Sequence, residues 1–105
     1  LHDILVAAKM GEKPFWFTEY GNTTAPGSSN ALSEAGSALH YQRYLDGMTQ
    51  LRDGGINLGP AFSYTLYDGA GGTGLGWELY MGVFHANGTE KPSAGVLRNA
   101  AAKLW

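Results

Sequence analysis

The chain contains no cysteine, and only 15% of its 105 residues are charged. Without cysteine it has neither a disulfide framework nor a thiolate metal site, which leaves the compartment open, secretion included. Its apolar stretches are too interrupted for a membrane span. The seven basic residues are scattered, and a formal net charge of −2 offers no electrostatic footprint for nucleic acid or for an anionic membrane. We therefore expect neither of these partners.

Glycine and aromatic residues are abundant instead, with 16 glycines and an aromatic fraction of 12%. A hydrophobic fraction of 44% predicts a globular chain rather than a disordered one. Aromatic surfaces that are punctuated by glycine often bind flat ligands such as sugar rings, although the same residues also fill cores.

Hydrophobic periodicity predicts alternating helices and strands in this chain. The predicted elements are the end of a helix over 1–10, a strand over 14–20, a helix over 30–53 capped by Ser29 or Asn30, a strand over 58–67, a glycine-rich loop over 68–80 and a final helix over 93–104. This order is typical of βαβ units and a parallel sheet. Because two parallel strands cannot cover both faces or satisfy their outer edges, further sheet has to come from elsewhere.

Glu19 stands at the end of the first predicted strand, an apolar run typical of a strand buried on both faces. Alternation places Glu19 on the same face as Phe15 and Phe17, and a carboxylate on an apolar face is costly unless it is paired. Active sites of α/β proteins lie at the carboxyl ends of parallel strands. Glu19 is therefore a candidate catalytic carboxylate; the alternative is a strand-end side chain that has reached solvent.

The stretch Lys13–Gly21, which reads KPFWFTEYG, resembles the seventh-strand motif of retaining glycoside hydrolases built on (β/α)8 barrels, the cellulase-like clan. Residues 59–68 resemble the eighth strand, and residues 81–93, which end in Lys-Pro-Ser, resemble the segment that leads into the last helix. The resemblance implies an α/β fold: a partial TIM barrel of about two βα units, a quarter barrel, completed by self-association or by a missing partner segment.

In that clan the glutamate that matches Glu19 is the catalytic nucleophile. A retaining enzyme needs a second carboxylic acid about 5 Å away to protonate the leaving oxygen. The clan carries this acid on its fourth strand, often after asparagine, and no Asn-Glu pair occurs in this chain. The resemblance implies hydrolysis of β-linked glycans, of the cellulase or β-glycosidase type, without a cofactor or metal, and with the acid/base absent from the chain.

Substrate contacts are expected from residues at or after the strand ends. Many relatives carry a tryptophan on the eighth strand that stacks under the sugar; here either Ser63 replaces it or Tyr64 takes over as the platform. Each aromatic candidate could equally be a packing residue, and the aspartate could equally cap the loop. The candidates for binding an oligosaccharide or polysaccharide are Tyr20, Tyr64, Tyr67, Asp68 and Trp77.

Other kinds of site are weakly supported. Residues 69–74 match G-x-G-x-x-G, but the sequence continues as loop where a dinucleotide site needs a helix. The three histidines are isolated and show no metal-ligand spacing.

Three interpretations of the whole chain remain. Four copies would supply eight strands, and repulsion between their Glu19 side chains would keep some protonated, which places an acid beside a nucleophile. The chain could instead be a non-catalytic carbohydrate-binding piece that uses its tyrosines. It could also be a structural segment that needs the rest of its barrel.

Overall fold

A computed structural model describes residues 1–69 and 76–104. The elements, in chain order, are α1 (His2–Ala7), β1 (Phe15–Tyr20), α2 (Glu34–Asp53), β2 (Leu58–Ser63), a short 3-10 helix (Glu78–Tyr80) and α3 (Pro92–Leu104). The strands β1 and β2 are adjacent and parallel, and α2 connects them. The fold is therefore mixed α/β, with one βαβ unit at its centre.

The helix α2 packs on the sheet where the two strands end. Tyr20 of β1 is paired with Ser63 of β2, and Tyr41 of α2 contacts both. The Tyr41 and Tyr20 rings are 5.5 Å apart in an edge-on arrangement, and the Tyr41 hydroxyl lies 2.9 Å from the Ser63 hydroxyl. One ring and one hydrogen bond thus fix the helix against the carboxyl ends of both strands.

The buried core lies at this same end of the sheet, where α2 and α3 also pack together. Both helices and the segment before α3 contribute to it. Its buried members are Tyr20, Tyr41, Val83 and Ala94, with Met48, Phe84, Val96 and Leu97 packed against them.

Helix α2 begins four residues later than the predicted range, at Glu34. Its cap is Ser33, whose side-chain oxygen accepts a hydrogen bond from the Gly36 amide at 3.0 Å. Ser29 and Asn30 do not cap it, because the preceding backbone is engaged elsewhere: the Leu32 amide donates to the Thr23 carbonyl at 3.0 Å. This bond, between residues nine positions apart, keeps the chain out of the helix as far as Leu32.

Strand β2 ends at Ser63, whereas the predicted strand extends to Tyr67. After the cis peptide bond between Tyr64 and Thr65, the backbone leaves β1 and pairs with the segment before α3. The Thr65 amide donates to the Met81 carbonyl at 3.1 Å, and the Phe84 amide donates to the Leu66 carbonyl at 3.0 Å. Of the predicted glycine-rich loop, residues 70–75 lie outside the described residues.

The expectation that β1 is buried on both faces is wrong. Trp16 is 58% exposed and Phe62 of β2 is 50% exposed, although their rings lie 6.4 Å apart. The accessible surface is 6971 Å², against about 5,700 Å² for a compact monomer of this mass. The chain therefore leaves apolar surface uncovered.

Candidate functional site

An open depression of about 250 Å³ lies at the carboxyl ends of the strands and contains Glu19. Its walls come from the end of β1, from α2 and from the segments that follow β2. The lining residues are Glu19, Tyr20, Gly21, Tyr44, Tyr64 and Met81. The position agrees with the end of a parallel sheet at which α/β proteins place their sites.

Glu19 is exposed, and its carboxylate makes no hydrogen bond or ion pair with any residue that the structure describes. The strand pairing shifts between Phe17 and Tyr20, so alternation counted from Phe15 does not fix the side on which Glu19 lies. Among the described residues that line the depression, Glu19 is the one carboxylic acid. An unpaired carboxylate here is free to attack an electrophilic carbon or to accept hydrogen bonds from hydroxyl groups.

Tyr20 forms the packed floor of the depression. It is only 8% exposed, and its ring lies 5.5 Å from the rings of both Tyr41 and Tyr44. Burial raises the pKa of the Tyr20 hydroxyl, and the neighbouring Tyr41 raises it further. A ring covered on this scale supports its neighbours rather than offering a free face to a sugar.

The contacts of Tyr41 distinguish Ser63 from Tyr64, the two candidates for the residue that stacks under a sugar. Its hydroxyl is bonded to Ser63 at 2.9 Å, so Ser63 faces α2 and is already engaged. Burial raises the pKa of Tyr41, the hydrogen bond with Ser63 lowers it in part, and Tyr44 adds to the increase. Tyr64, the next residue, lines the depression together with Glu19. Of Ser63 and Tyr64, only Tyr64 is placed to meet a ligand there.

Tyr44 is a lining residue that the sequence analysis did not identify. It belongs to the middle of α2 and is 38% exposed. In the sequence it is one of two tyrosines in the helix, with no local feature to mark it. Its place beside Glu19 results from the packing of α2 on β1, which no local pattern encodes.

Tyr67 and Trp77 lie away from this depression. The Tyr67 ring is 44% exposed and packs on Phe84 at 5.4 Å. Trp77 is 42% exposed, and its carbonyl accepts a hydrogen bond from the Thr23 hydroxyl at 2.6 Å. Neither residue lines the depression that contains Glu19.

Asp68 belongs to a second, larger depression of about 600 Å³, which Tyr80, His85 and Asn87 also line. Its carboxylate oxygen Oδ1 accepts hydrogen bonds from Lys91 Nζ at 2.7 Å and from the Gly82 amide at 2.9 Å. The Asp68 side chain is 10% exposed and that of Lys91 is 1% exposed. This arrangement fits the alternative role of Asp68, an anchor of the loop.

His85 lies between Asp68 and Glu34 at the start of α2. His85 Nδ1 lies 3.9 Å from Asp68 Oδ2, and His85 Nε2 lies 3.3 Å from Glu34 Oε1. These contacts tie the loop after β2 to the starts of α2 and α3.

Two further properties concern ligands and membranes. Within residues 1–69 and 76–104, no group of three or more histidine, aspartate or glutamate side chains is arranged to hold a metal ion. In the same part of the chain, no helix combines the length and apolar character needed to cross a membrane.

The chain was compared with models of protein families and with curated proteins. Neither comparison finds a match.

Proposed function

We propose that the chain is part of a retaining glycoside hydrolase that cleaves β-linked glycans of the cellulase or β-glycosidase type, with Glu19 as the nucleophile. The observation that carries the proposal is an unpaired Glu19 at the carboxyl end of a parallel βαβ unit, in a depression walled by Tyr44 and Tyr64. The resemblance of residues 13–21 to the nucleophile strand of the cellulase-like clan supports the same role.

In the proposed reaction a Glu19 oxygen attacks the anomeric carbon, and the bond from that carbon to the leaving oxygen breaks. The leaving oxygen takes the bonding electrons and needs a proton from a second carboxylic acid about 5 Å from the nucleophile. The described lining of the depression holds no such acid besides Glu19. The chain alone is therefore expected to be slow on glycans with ordinary alcohol leaving groups, and an added chain has to supply the acid.

We further propose that the βαβ unit is about a quarter of a (β/α)8 barrel. Each strand of the described pair has one unpaired edge, and the accessible surface exceeds that of a compact monomer by roughly 1,300 Å². A standard interface takes about 800 Å² from each partner. The excess supports completion by further strands, from copies of the chain or from a complementary segment.

The nucleophile can be tested without the missing acid. A 2-deoxy-2-fluoro-β-glucoside with a dinitrophenolate leaving group needs no proton transfer, because dinitrophenolate departs as a stable anion. Attack by Glu19 then leaves a long-lived glycosyl ester, which intact-mass and peptide mass spectrometry detect. We expect one adduct per chain, on the peptide that contains Glu19.

Two variants make this test specific. Glu19→Gln removes the nucleophile and should abolish labelling, whereas Glu12→Gln changes an exposed glutamate in the preceding turn and should leave labelling unchanged. Absence of an adduct on the unmodified chain, or equal labelling of Glu19→Gln, would contradict the assignment.

A non-catalytic carbohydrate-binding role is the second candidate. It is favoured by the single carboxylate in a depression that is otherwise lined by three tyrosines, Gly21 and Met81. Under this alternative, Glu19→Gln binds an oligosaccharide as well as the unmodified chain does and no labelling occurs. A purely structural segment would show neither binding nor labelling until the rest of its barrel was added.

A further inference from the structure

We infer that Tyr44 is a carbohydrate-contacting residue of the Glu19 depression, and that its ring faces a sugar bound beside the nucleophile. The inference rests on the proposed function and adds a binding residue from α2, an element that the strand-end resemblance does not include.

The position of Tyr44 carries the first step. It lines the same depression as Glu19 and Tyr64, on the wall that α2 provides. The other wall comes from Tyr64 and Met81, which belong to the chain after β2. A ligand bound beside Glu19 in this depression therefore meets side chains from two separate parts of the fold, and Tyr44 belongs to one of them.

The Tyr44 ring contacts two other rings, which hold it in place. Its centroid lies 5.5 Å from that of Tyr20 and 4.9 Å from that of His40, at angles of 51° and 67°. A ring held in this way loses little freedom when a ligand binds, so less of the contact energy is spent on ordering the side chain.

The exposure of Tyr44 separates it from its aromatic neighbours. Tyr20 and Tyr41 are 8% and 1% exposed and belong to the core, whereas Tyr44 is 38% exposed. An open aromatic ring next to an unpaired carboxylate matches the chemistry of a sugar, which presents an apolar C–H face and a hydroxyl edge. The Tyr44 ring can pack on the C–H face of the sugar, and the Glu19 carboxylate can accept hydrogen bonds from its hydroxyl groups.

Strand addition at the edges of the sheet is compatible with this role. The depression lies at the carboxyl ends of β1 and β2, the end that stays open in α/β barrels. The alternative role for Tyr44 is packing against an added segment, and the experiment below separates that role from ligand contact.

The test is a titration of the 15N-labelled chain with a β-1,4-linked glucotetraose, followed by NMR. The variants are Tyr44→Phe, which keeps the ring, and Tyr44→Leu and Tyr44→Ala, which remove it. Tyr80→Ala is the matched control, because Tyr80 is 41% exposed and lines the other depression. Thermal melting of each variant shows whether it is folded. If Tyr44→Ala does not fold, Tyr44→Leu still tests the ring, because leucine keeps much of the apolar volume.

In the unmodified chain we expect chemical-shift changes at residues of the Glu19 depression. In Tyr44→Leu the dissociation constant should be at least about fivefold larger, which is the scale of one aromatic contact. Tyr44→Phe and Tyr80→Ala should stay within about twofold of the unmodified chain, because both keep the Tyr44 ring face.

The inference is overturned if Tyr44→Leu binds as well as the unmodified chain, or if that variant changes only the oligomeric mass. It is also overturned if no residue around Glu19 shifts at any concentration of the tetrasaccharide. The proposed function stands or falls separately, since labelling of Glu19 by the activated fluoroglucoside does not require a bound tetrasaccharide.

Discussion

At the scale of single residues, the contact between Lys91 and Asp68 is the most buried charge pair that the structure describes. Lys91 lies immediately before α3, and its ammonium also donates to the Thr24 hydroxyl at 2.9 Å. Removal of one partner leaves the other charge buried without compensation, which typically costs about 3–5 kcal/mol. We expect Lys91→Met to lower the free energy of unfolding by that order, as measured by urea denaturation.

A surface pair provides the control for this prediction. Arg52 and Asp53 lie 3.4 Å apart with both side chains more than half exposed, and exposed pairs contribute about 0–1 kcal/mol. Arg52→Ala should therefore change stability little. A loss below about 1 kcal/mol in Lys91→Met would show that the pair is not buried as described.

The buried tyrosines predict a loss of stability in alkali. The pKa of both Tyr20 and Tyr41 lies above the ordinary value of 10.0, with burial as the main cause. Above that value the unfolded chain loses protons that the folded chain retains, so the free energy of unfolding falls as pH rises through the folded-state pKa. Below about pH 9 these two groups should have no effect.

Urea denaturation at a series of pH values measures this dependence. Tyr41→Phe removes one of the two titrating groups and should make the decline above pH 10.0 shallower. An unchanged slope in Tyr41→Phe would mean that other groups cause the alkaline loss. Tyr80→Phe, which removes a hydroxyl from a residue that is 41% exposed, serves as the comparison.

At the scale of elements, glycines show where two segments pack too closely to leave room for a side chain. A Cβ atom at Gly82 would collide with backbone atoms of Tyr67, Asp68 and Phe84, whereas nothing lies within 4 Å of a Cβ atom at Gly47 in α2. We expect Gly82→Ala to destabilise the fold by about 1–3 kcal/mol and Gly47→Ala to stabilise it by about 0.5–1 kcal/mol.

Thermal melting of the two alanine variants checks this pair. Both add one methyl group, so a difference in sign reports the surroundings rather than the composition. Equal melting temperatures would indicate that the segment before α3 does not press against the loop after β2 as described.

The sequence predicts the order of elements well, because hydrophobic periodicity is a local property. The parallel pairing of β1 and β2 follows from the helix between them. The boundaries depend on distant contacts: Ser33, Ser29 and Asn30 are all good caps, and the bond from Leu32 to Thr23 selects Ser33. The end of β2 depends on pairing with residues 81–84, a partner that no local pattern identifies.

The candidate site likewise contains residues that a local pattern identifies and residues that only distant contacts bring there. Glu19 could be identified because a carboxylate at the end of an apolar strand is a local signal. Tyr44 could not, because a contact between distant parts of the chain, its ring against Tyr20 at the end of β1, brings it to the depression. Asp68 has the strand-end position of a ligand contact, but Lys91, 23 residues later, engages its carboxylate.

At the scale of the whole molecule, the chain is less compact than an ordinary domain of its length. The radius of gyration is 15.5 Å, whereas a compact domain of this length has about 13 Å. We predict that the chain self-associates through the uncovered sheet, and that light scattering gives a multiple of 11.2 kDa. Replacement of the exposed rings, Trp16→Ser with Phe62→Ser, should shift the mass towards that of one chain.

The catalytic prediction depends on the same measurement. An oligomer in which copies of Glu19 share a cavity should hydrolyse oligosaccharides, and Glu19→Gln should abolish that activity without changing the mass. A mass of 11.2 kDa at every concentration would rule out self-association. A monomer that nevertheless hydrolysed an unactivated oligosaccharide would show that the acid lies within this chain.

The core lies at one end of the sheet, and this has a consequence for local opening. Tyr20, Tyr41 and Val83 are clustered where the strands finish, while α1 contains no buried residue. Segments with few buried contacts open at low free energy, independently of the rest. The amino-terminal helix and the start of β1 should therefore fray and exchange their amide hydrogens early, while the floor beneath Glu19 stays closed until the whole chain unfolds.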